Sequence, residues 1–138
     1  MCGISGILNI NYQPVDVDLL GKMTKLIRHR GSDDEGYLLV NTITDQIKHC
    51  FGEDSTEEIK SKIYPLYNDI SANLAFGFRR LSIIDLSSNG HQPMSIDNNN
   101  LSIVFNGEIY NYIELKKELS ELGCKFYTAT DTEVILNS

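Results

Sequence analysis

The order of hydrophobic and polar residues along the chain predicts a mixture of strands and helices. Apolar runs at the short period of a strand predict strands at residues 2–10, 36–40, 46–51, 73–85, 101–105 and 124–128. Apolar residues at helical spacing predict a first helix that Asp16 or Asp18 caps and Gly31 ends. Further helices begin at Asn111 and Thr130, each followed three residues later by a glutamate as in a capping box. This order predicts a single mixed α and β domain.

Two stretches are predicted to lie outside regular structure. Residues 53–72 are polar, charged and weakly periodic, so we expect a solvated surface insertion there. Pro65 lies within that segment and argues against a long helix. After Asp85, a loop rich in serine, asparagine, glycine and proline is predicted to continue through residue 100.

Composition narrows the classes of function. The 138 residues suffice for one domain, and a net charge of −7 argues against nucleic acid or an anionic membrane surface as partner. No apolar run approaches a membrane span and no signal-peptide pattern opens the chain, so we expect a cytoplasmic location. The cysteines (Cys2, Cys50 and Cys124) and the histidines lack metal-ligand spacing, so neither a disulfide framework nor a metal site is expected.

Cys2 directly follows the initiator methionine and is the first candidate for chemistry. Removal of Met1 would leave a thiol and an α-amine on the same residue. A free α-amine has an ordinary pKa of about 7.7–8.0, so near neutral pH it can accept a proton from the nucleophilic thiol. Taken alone, a cysteine at position 2 is more often incidental, and retention of Met1 would remove the base.

Three other motifs have both a structural and a functional interpretation. Asn106-Gly107 after a strand is typical of a hairpin turn, yet an Asn amide beside a Gly N–H can also stabilise an oxyanion. Arg80 can be a solvated charge at a strand end or a clamp for a carboxylate. Asp131 can belong to a helix cap or can bind an ammonium group.

Together these motifs resemble a known family. The chain is similar to the N-terminal glutaminase domain of glutamine-hydrolysing asparagine synthetases, which is a class II glutamine amidotransferase domain and an N-terminal-nucleophile hydrolase. The matching stretches occur in the family's order at residues 1–6, 28–33, 79–86, 92–94, 106–111 and 130–133. The forms at 79–86 and 106–111 resemble the asparagine synthetase branch, whereas sugar-aminating and purine-pathway amidotransferases have other sequences there.

The resemblance implies a role for each motif. Cys2 is expected to attack the side-chain amide of L-glutamine, with its own α-amine moving the proton. Asn106 and the backbone N–H of Gly107 are the expected oxyanion donors. The residues expected to bind the substrate are Arg80 for the α-carboxylate, Leu81 and Ile84 for the adjoining wall, and Glu108 and Asp131 for the α-ammonium.

The resemblance also implies a fold and a domain plan. We expect an α+β fold, a four-layer α/β/β/α sandwich of two antiparallel sheets, incomplete at the C-terminus. Residues 1–138 would form a truncated glutaminase domain without the synthetase domain, in which the family uses ATP and magnesium to convert aspartate to asparagine. We therefore expect no cofactor in this domain, and the sequence contains no Gly-rich phosphate loop.

The sequence departs from the family pattern at two places, and two alternatives to the expected function stay open. Ser32 stands where the family has a proline, which predicts a less rigid loop, and the segment 41–72 is longer than expected. One alternative is a non-catalytic fragment that needs a partner, either a second copy in a homodimer or a separate synthetase chain. The other is an amidotransferase that delivers ammonia to an acceptor other than aspartate.

Overall fold

A computed structural model describes residues 1–96, 98 and 100–138. Its strands are β1 (Gly3–Leu8), β2 (Asp34–Asn41), β3 (Gln46–Phe51), β4 (Tyr64–Pro65), β5 (Leu74–Arg80), β6 (Met94–Ile96) and β7 (Leu101–Ile103). Its α-helices are α1 (Val17–Leu26), α2 (Glu57–Lys60), α3 (Tyr112–Glu121) and α4 (Asp131–Leu136). Two short 3-10 turns cover Arg28–Arg30 and Ser88–Gly90.

The larger sheet has five strands in the order β1-β5-β2-β3-β4. Its pairs are antiparallel except for the short β4, which runs parallel to β3. β5 is therefore central, with β1 on one side and β2 on the other. Gly3 pairs with Arg79, so the start of β1 lies beside the end of β5. This register brings Cys2 to the point where the chain leaves β5.

Helix α1 covers one face of this sheet. The Asp16 side chain accepts a hydrogen bond from Leu19 N (3.0 Å) and caps the helix, as one of the two predicted caps. Leu20 of α1 is fully buried in a cluster with Leu39 and Ala75. The helix ends at Leu26 and a 3-10 turn follows, so Gly31 ends that turn and not α1 as predicted.

The pair β6-β7 forms a second, antiparallel sheet on the opposite face. Neighbouring residues of a strand point to opposite faces, so Gly36 faces away from the cluster that contains Leu39. A Cβ on Gly36 would lie 2.2 Å from Gln92 O, which shows how closely the segment before β6 approaches this face. His49 of β3 likewise contacts Ser95 of β6, with 2.8 Å between Nε2 and Oγ.

Helix α4 packs on the second sheet, and α3 packs on α4. The order of layers is therefore helix, five-stranded sheet, two-stranded sheet and helices. This confirms the predicted α+β sandwich of the N-terminal-nucleophile hydrolase type. The parallel pair of β3 and β4 is a small departure from two purely antiparallel sheets.

The prediction of a solvated insertion at 53–72 is wrong in part. Ala72 is fully buried, Ser55 and Ile59 are also buried, and Leu66 packs against the core. These buried residues are isolated along the segment, so they form no repeating apolar pattern from which burial could be predicted. The expectation about Pro65 is confirmed, because α2 is only four residues long and ends before the proline.

Four local predictions after residue 73 are also wrong. Residues 124–128, all of which the structure describes, contain no strand, because the N–H groups of Tyr127 and Thr128 bond to the Glu133 carboxylate instead. Asn111 begins α3, but among the described residues its side chain makes no capping bond. The predicted loop after Asp85 contains β6, which is too short to show alternation, and β5 ends at Arg80 rather than Asp85.

No helix in the described ranges is long and apolar enough to cross a membrane. The longest, α1 and α3, have 10 residues each. A membrane-spanning helix needs about 20 residues.

Candidate active site

A cavity of about 340 Å³ opens where the start of β1 and the end of β5 meet the loops around α4. Its lining includes all the residues predicted to act on a substrate, namely Cys2, Arg80, Leu81, Ile84, Asn106, Gly107, Glu108 and Asp131. Met1, Gln92 and Thr132 also line it. The fold therefore assembles one concave site from four separate motifs of the sequence.

The Cys2 thiol is held by the residue that follows β5. Leu81 N donates a hydrogen bond to Cys2 Sγ at 3.3 Å, and Leu81 O lies 3.7 Å from the same sulfur. The next residue, Ser82, donates its backbone N–H to Asp33 Oδ2 at 2.8 Å. Asp33 N in turn donates to Arg80 O at 3.0 Å. Asp33 thus anchors the short stretch of backbone that contacts the sulfur.

Arg80 is a buried cation whose orientation is set by backbone carbonyls. Its Nη1 donates to Ser87 O at 2.7 Å and its Nη2 donates to Asp85 O. The side chain is therefore not the freely solvated strand-end charge that the sequence left open. A guanidinium has five N–H donors, so these two bonds leave capacity to bind a carboxylate bidentately.

The segment 105–107 follows β7 and presents polar groups to the cavity. Asn106, Gly107 and Glu108 are all exposed. The preceding residue is anchored to the interior, because Phe105 N donates a hydrogen bond to the side-chain oxygen of the buried Gln92 at 2.7 Å. The next element is α3, and no strand among the described residues follows Gly107, so the interpretation as a hairpin turn is wrong. Asn106 and Gly107 both line the cavity, where an amide and a backbone N–H can donate to a ligand.

Asp131 lies at the first position of α4 and is buried. The cap of α4 is Thr130, whose hydroxyl accepts from Glu133 N at 3.4 Å, as the capping box predicted. Asp131 follows this cap as an acid in the first turn, as the structural interpretation predicted, and its Oδ2 accepts from Ile109 N at 2.9 Å. This bond joins α4 to the segment that contains Glu108, and both predicted ammonium ligands line the cavity.

Asp85 connects the loop after β5 to the loop before α4. Its Oδ1 accepts from the Ser87 hydroxyl at 2.6 Å, and its Oδ2 accepts from Ala129 N at 3.0 Å. The Ser87 hydrogen bond is the main reason that the pKa of Asp85 is lowered. The ionised carboxylate therefore holds the loop that supplies both carbonyls to Arg80.

Sequence reasoning missed three residues that support the site: Asp33, Asp85 and Gln92. All three fall inside the matching stretches 28–33, 79–86 and 92–94, but their side chains do not have the pattern of a reacting group. Each makes hydrogen bonds to backbone groups of distant segments. Such partners are known only once the fold is known.

The described residues contain no group of three or more His, Cys, Asp or Glu side chains that could hold a metal ion. His49 and Cys50, which are adjacent in sequence, point to opposite faces of β3. Cys50 is fully buried in the α1 cluster, where burial raises the pKa of its thiol, and His49 contacts Ser95 on the other side.

Comparison with known proteins gives consistent matches. A family model described as a glutamine amidotransferase domain matches residues 66–138, which is more than half of the chain. Asparagine synthetase [glutamine-hydrolyzing] 1 of Bacillus subtilis is 39% identical over 99% of this chain, and asparagine synthetase [glutamine-hydrolyzing] 2 of the same organism is 34% identical over 99%. A glutamine–fructose-6-phosphate aminotransferase of Sulfurisphaera tokodaii is 31% identical over 98%.

These relatives are much longer than the chain. It spans 17% and 14% of the two Bacillus proteins and 22% of the Sulfurisphaera protein. The two kinds of relative differ in their named products, and glutamine is common to all three names. With the family model covering over half of its residues, this chain belongs to the glutamine amidotransferase domain family.

Proposed function

We propose that this chain hydrolyses the side-chain amide of L-glutamine to glutamate and ammonia, with Cys2 as the nucleophile. The observation that supports this most strongly is the hydrogen bond from Leu81 N to Cys2 Sγ at the wall of the cavity. It holds the thiol beside the groups that suit an amino acid substrate. Family membership supports glutamine as that substrate.

The charges that line the cavity suit the two ends of a free amino acid. Arg80 would pair with the α-carboxylate, while Glu108 and Asp131 would receive the α-ammonium. Leu81 and Ile84 would line the wall along the aliphatic part of the substrate. A substrate bound between these groups would have its side-chain amide free to reach Cys2.

The proposed reaction begins after removal of Met1, which frees the α-amine of Cys2. The amine accepts the thiol proton, and the sulfur attacks the amide carbon to give a tetrahedral intermediate. Its oxyanion would bind the Asn106 amide and the Gly107 N–H. The carbon–nitrogen bond then breaks, the nitrogen takes the proton from the α-amine and leaves as ammonia, and water hydrolyses the thioester to glutamate and free thiol.

We propose that the ammonia serves ATP-dependent asparagine synthesis from aspartate. Two of the relatives described above are named as glutamine-hydrolysing asparagine synthetases, which supports this acceptor. The synthetase step, with its ATP and magnesium, would take place in a further domain or a separate chain. The hydrolysis itself would need no cofactor, because Cys2 supplies the nucleophile and base while Asn106 and Gly107 supply the oxyanion donors.

Exposed apolar side chains favour a second candidate, a chain that is active only with a partner. Ile83, Leu86, Tyr110 and Ile113 are exposed by 71%, 79%, 89% and 66%, and two of them line the cavity. Ile83 and Tyr110 lie together at the cavity, and exposed apolar side chains that lie together are typical of a surface that another polypeptide covers. Size-exclusion chromatography with thermal unfolding separates the candidates, because an autonomous domain elutes as a monomer and unfolds in one cooperative transition.

The test of the proposed function is glutamine hydrolysis by the processed chain, followed as release of both ammonia and glutamate. Cys2→Ala should lower kcat by at least about 10³-fold, because the nucleophile is lost. Cys124→Ala is the matched control, since Cys124 is also partly exposed but does not line the cavity. Equal ammonia release by Cys2→Ala and the wild type would reject Cys2 as the nucleophile.

A further inference from the structure

We infer that Gln92 is a positioning residue, which fixes the two ends of the substrate site relative to each other. The two ends are the oxyanion segment, residues 105–107, and the first turn of α4, which contains Asp131. The inference rests on the proposed function, because it assigns Gln92 a role in placing the groups that would bind glutamine. It goes beyond that function by naming a residue that need not touch the reacting atoms.

The Gln92 side chain uses both ends of its amide in hydrogen bonds. Its Oε1 accepts from Phe105 N at 2.7 Å, and its Nε2 donates to Thr132 Oγ1 at 3.1 Å. Gln92 is buried, with 6% of its surface exposed. A flip would place the Nε2 donor against the N–H of Phe105, which is also a donor, so this buried amide has one orientation.

Both partners of Gln92 are next to residues with proposed substrate contacts. Phe105 immediately precedes Asn106, the proposed oxyanion donor, and Thr132 immediately follows Asp131, a proposed ammonium ligand. β7 ends at Ile103, so the ladder of the second sheet does not extend to the oxyanion segment. The bond from Phe105 N to Gln92 therefore fixes this backbone at the point where it enters the cavity.

The segment that contains Gln92 is itself fixed to the larger sheet. Gly36 of β2 leaves no room for a Cβ against Gln92 O, so the two backbones are in close contact. The adjacent His91 ring contacts the fully buried Asp34, with 2.6 Å between Nδ1 and Oδ2. On the other side, a Cβ on Gly90 would lie 2.1 Å from Arg80 Nη2. Gln92 thus connects the larger sheet to the oxyanion segment and to the first turn of α4.

The two hydrogen bonds predict different kinetic effects. The Phe105 bond acts on the oxyanion donors, which are used in the transition state, so its loss lowers kcat. The Thr132 bond acts on the ammonium end, which binds substrate and transition state alike, so its loss raises KM. A residue that only stabilised the fold would lower the folded fraction and leave both constants of the folded enzyme unchanged.

Four variants of the processed chain test the inference in a glutaminase assay with active-site titration. Gln92→Met has a similar volume and should lower kcat by about 10²-fold and raise KM by about 10-fold. Thr132→Val should raise KM by about 10-fold with kcat unchanged, whereas Thr132→Ser keeps the hydroxyl and should match the wild type. The fourth variant, Gln13→Met, makes the same change at an exposed position and should also match the wild type.

Amide hydrogen exchange of Phe105, measured by NMR, is a readout that does not need activity. Exchange of this amide should accelerate by about 10-fold in Gln92→Met relative to Gln13→Met, because the acceptor is lost. Unchanged exchange, or normal kcat and KM in Gln92→Met while the wild type is active, would overturn the inference. If Gln92→Met does not fold, equal KM values for Thr132→Val and Thr132→Ser would overturn it. An inactive wild type with accelerated exchange would instead reject the proposed function and leave the bond to Phe105 supported.

Discussion

At the scale of single residues, the position of the Cys2 sulfur depends on a carboxylate that does not touch it. Leu81 N donates to the sulfur, and Asp33 holds the adjacent Ser82 N at 2.8 Å. Ser32, at the position of the family's proline, donates its hydroxyl to the other oxygen of Asp33 at 3.1 Å. The thiol therefore sits on a short backbone segment that side-chain oxygens anchor to the loop before β2.

Replacement of Asp33 tests this anchor. Asp33→Ala should lower kcat for glutamine by about 10-fold, because the N–H of Leu81 is then free to move away from the sulfur. Asp33→Asn keeps an oxygen acceptor for Ser82 N and should retain most of the activity. Steady-state kinetics decide the matter, with Asp18→Ala as an exposed acidic control. Equal kcat values for Asp33→Ala and the wild type would show that the anchor is dispensable.

Tyr37 gives a prediction about pH. The pKa of Tyr37 is raised from 10.0 to about 12. Burial is the main cause, and the nearby Glu35 carboxylate is the second. A folded pKa above the unfolded value means that the protonated phenol stabilises the fold below pH 10, and that this contribution is lost as the pH rises through about 12. Tyr37→Phe has no proton to lose at this position.

The free energy of unfolding, measured by urea titration at about pH 9 and pH 11, should therefore fall by about 1 kcal/mol more in the wild type than in Tyr37→Phe. The control is Tyr67→Phe, because Tyr67 is mostly exposed. That variant should show the same decrease as the wild type. A decrease as large in Tyr37→Phe as in the wild type would contradict the assigned environment of this phenol.

At the scale of elements, an ionic network joins β5 to β2 and to the segment before α2. Arg79 is fully buried, and its Nη1 lies 2.5 Å from Glu35 Oε2 and 3.0 Å from Asp54 Oδ2. Its Nε donates to Gly31 O at 2.9 Å. Gly31 has no room for a Cβ, which would lie 2.5 Å from the Arg79 backbone. The network thus explains why part of the 53–72 segment is tied to the core.

Removal of the Arg79 cation should strongly lower the free energy of unfolding. Arg79→Met leaves the buried Glu35 carboxylate without its partner, so we expect a loss of about 3–5 kcal/mol in the free energy of unfolding. Arg28→Met is the matched control, because Arg28 also pairs with Asp54 but is half-exposed. Its loss should be at most about 1 kcal/mol. Urea unfolding measures both, and losses of equal size would contradict the importance of the buried network.

At the scale of the whole molecule, the regular elements with strong periodicity could be predicted from the sequence. β1, β2, β3 and α1 follow from apolar spacing, and the α4 start follows from Thr130 and Glu133. The strand predicted at 124–128 is an exception. Its composition suits a strand, but a nearby carboxylate, Glu133, satisfies its backbone N–H groups in the fold.

The candidate site residues that line the cavity could be predicted from the sequence, including the apolar Leu81 and Ile84, but the residues that position them could not. Cys2, Arg80, Asn106 and Asp131 have side chains whose chemistry is visible in the sequence, and the fold brings them to one cavity. Gln92 and Asp33 could not be assigned, because their partners are backbone groups at distant positions. Sequence patterns record what a side chain can do, whereas the identity of its partner depends on the topology.

The central claim is that the Cys2 thiol acts together with its own α-amine, which is free only when Met1 has been removed from the chain. The most direct measurement combines intact mass with glutaminase activity for two preparations, one processed and one with Met1 retained. Processing lowers the mass by about 131 Da, and we expect glutamine hydrolysis only in that preparation. Equal rates of ammonia release from the two preparations would contradict the claim.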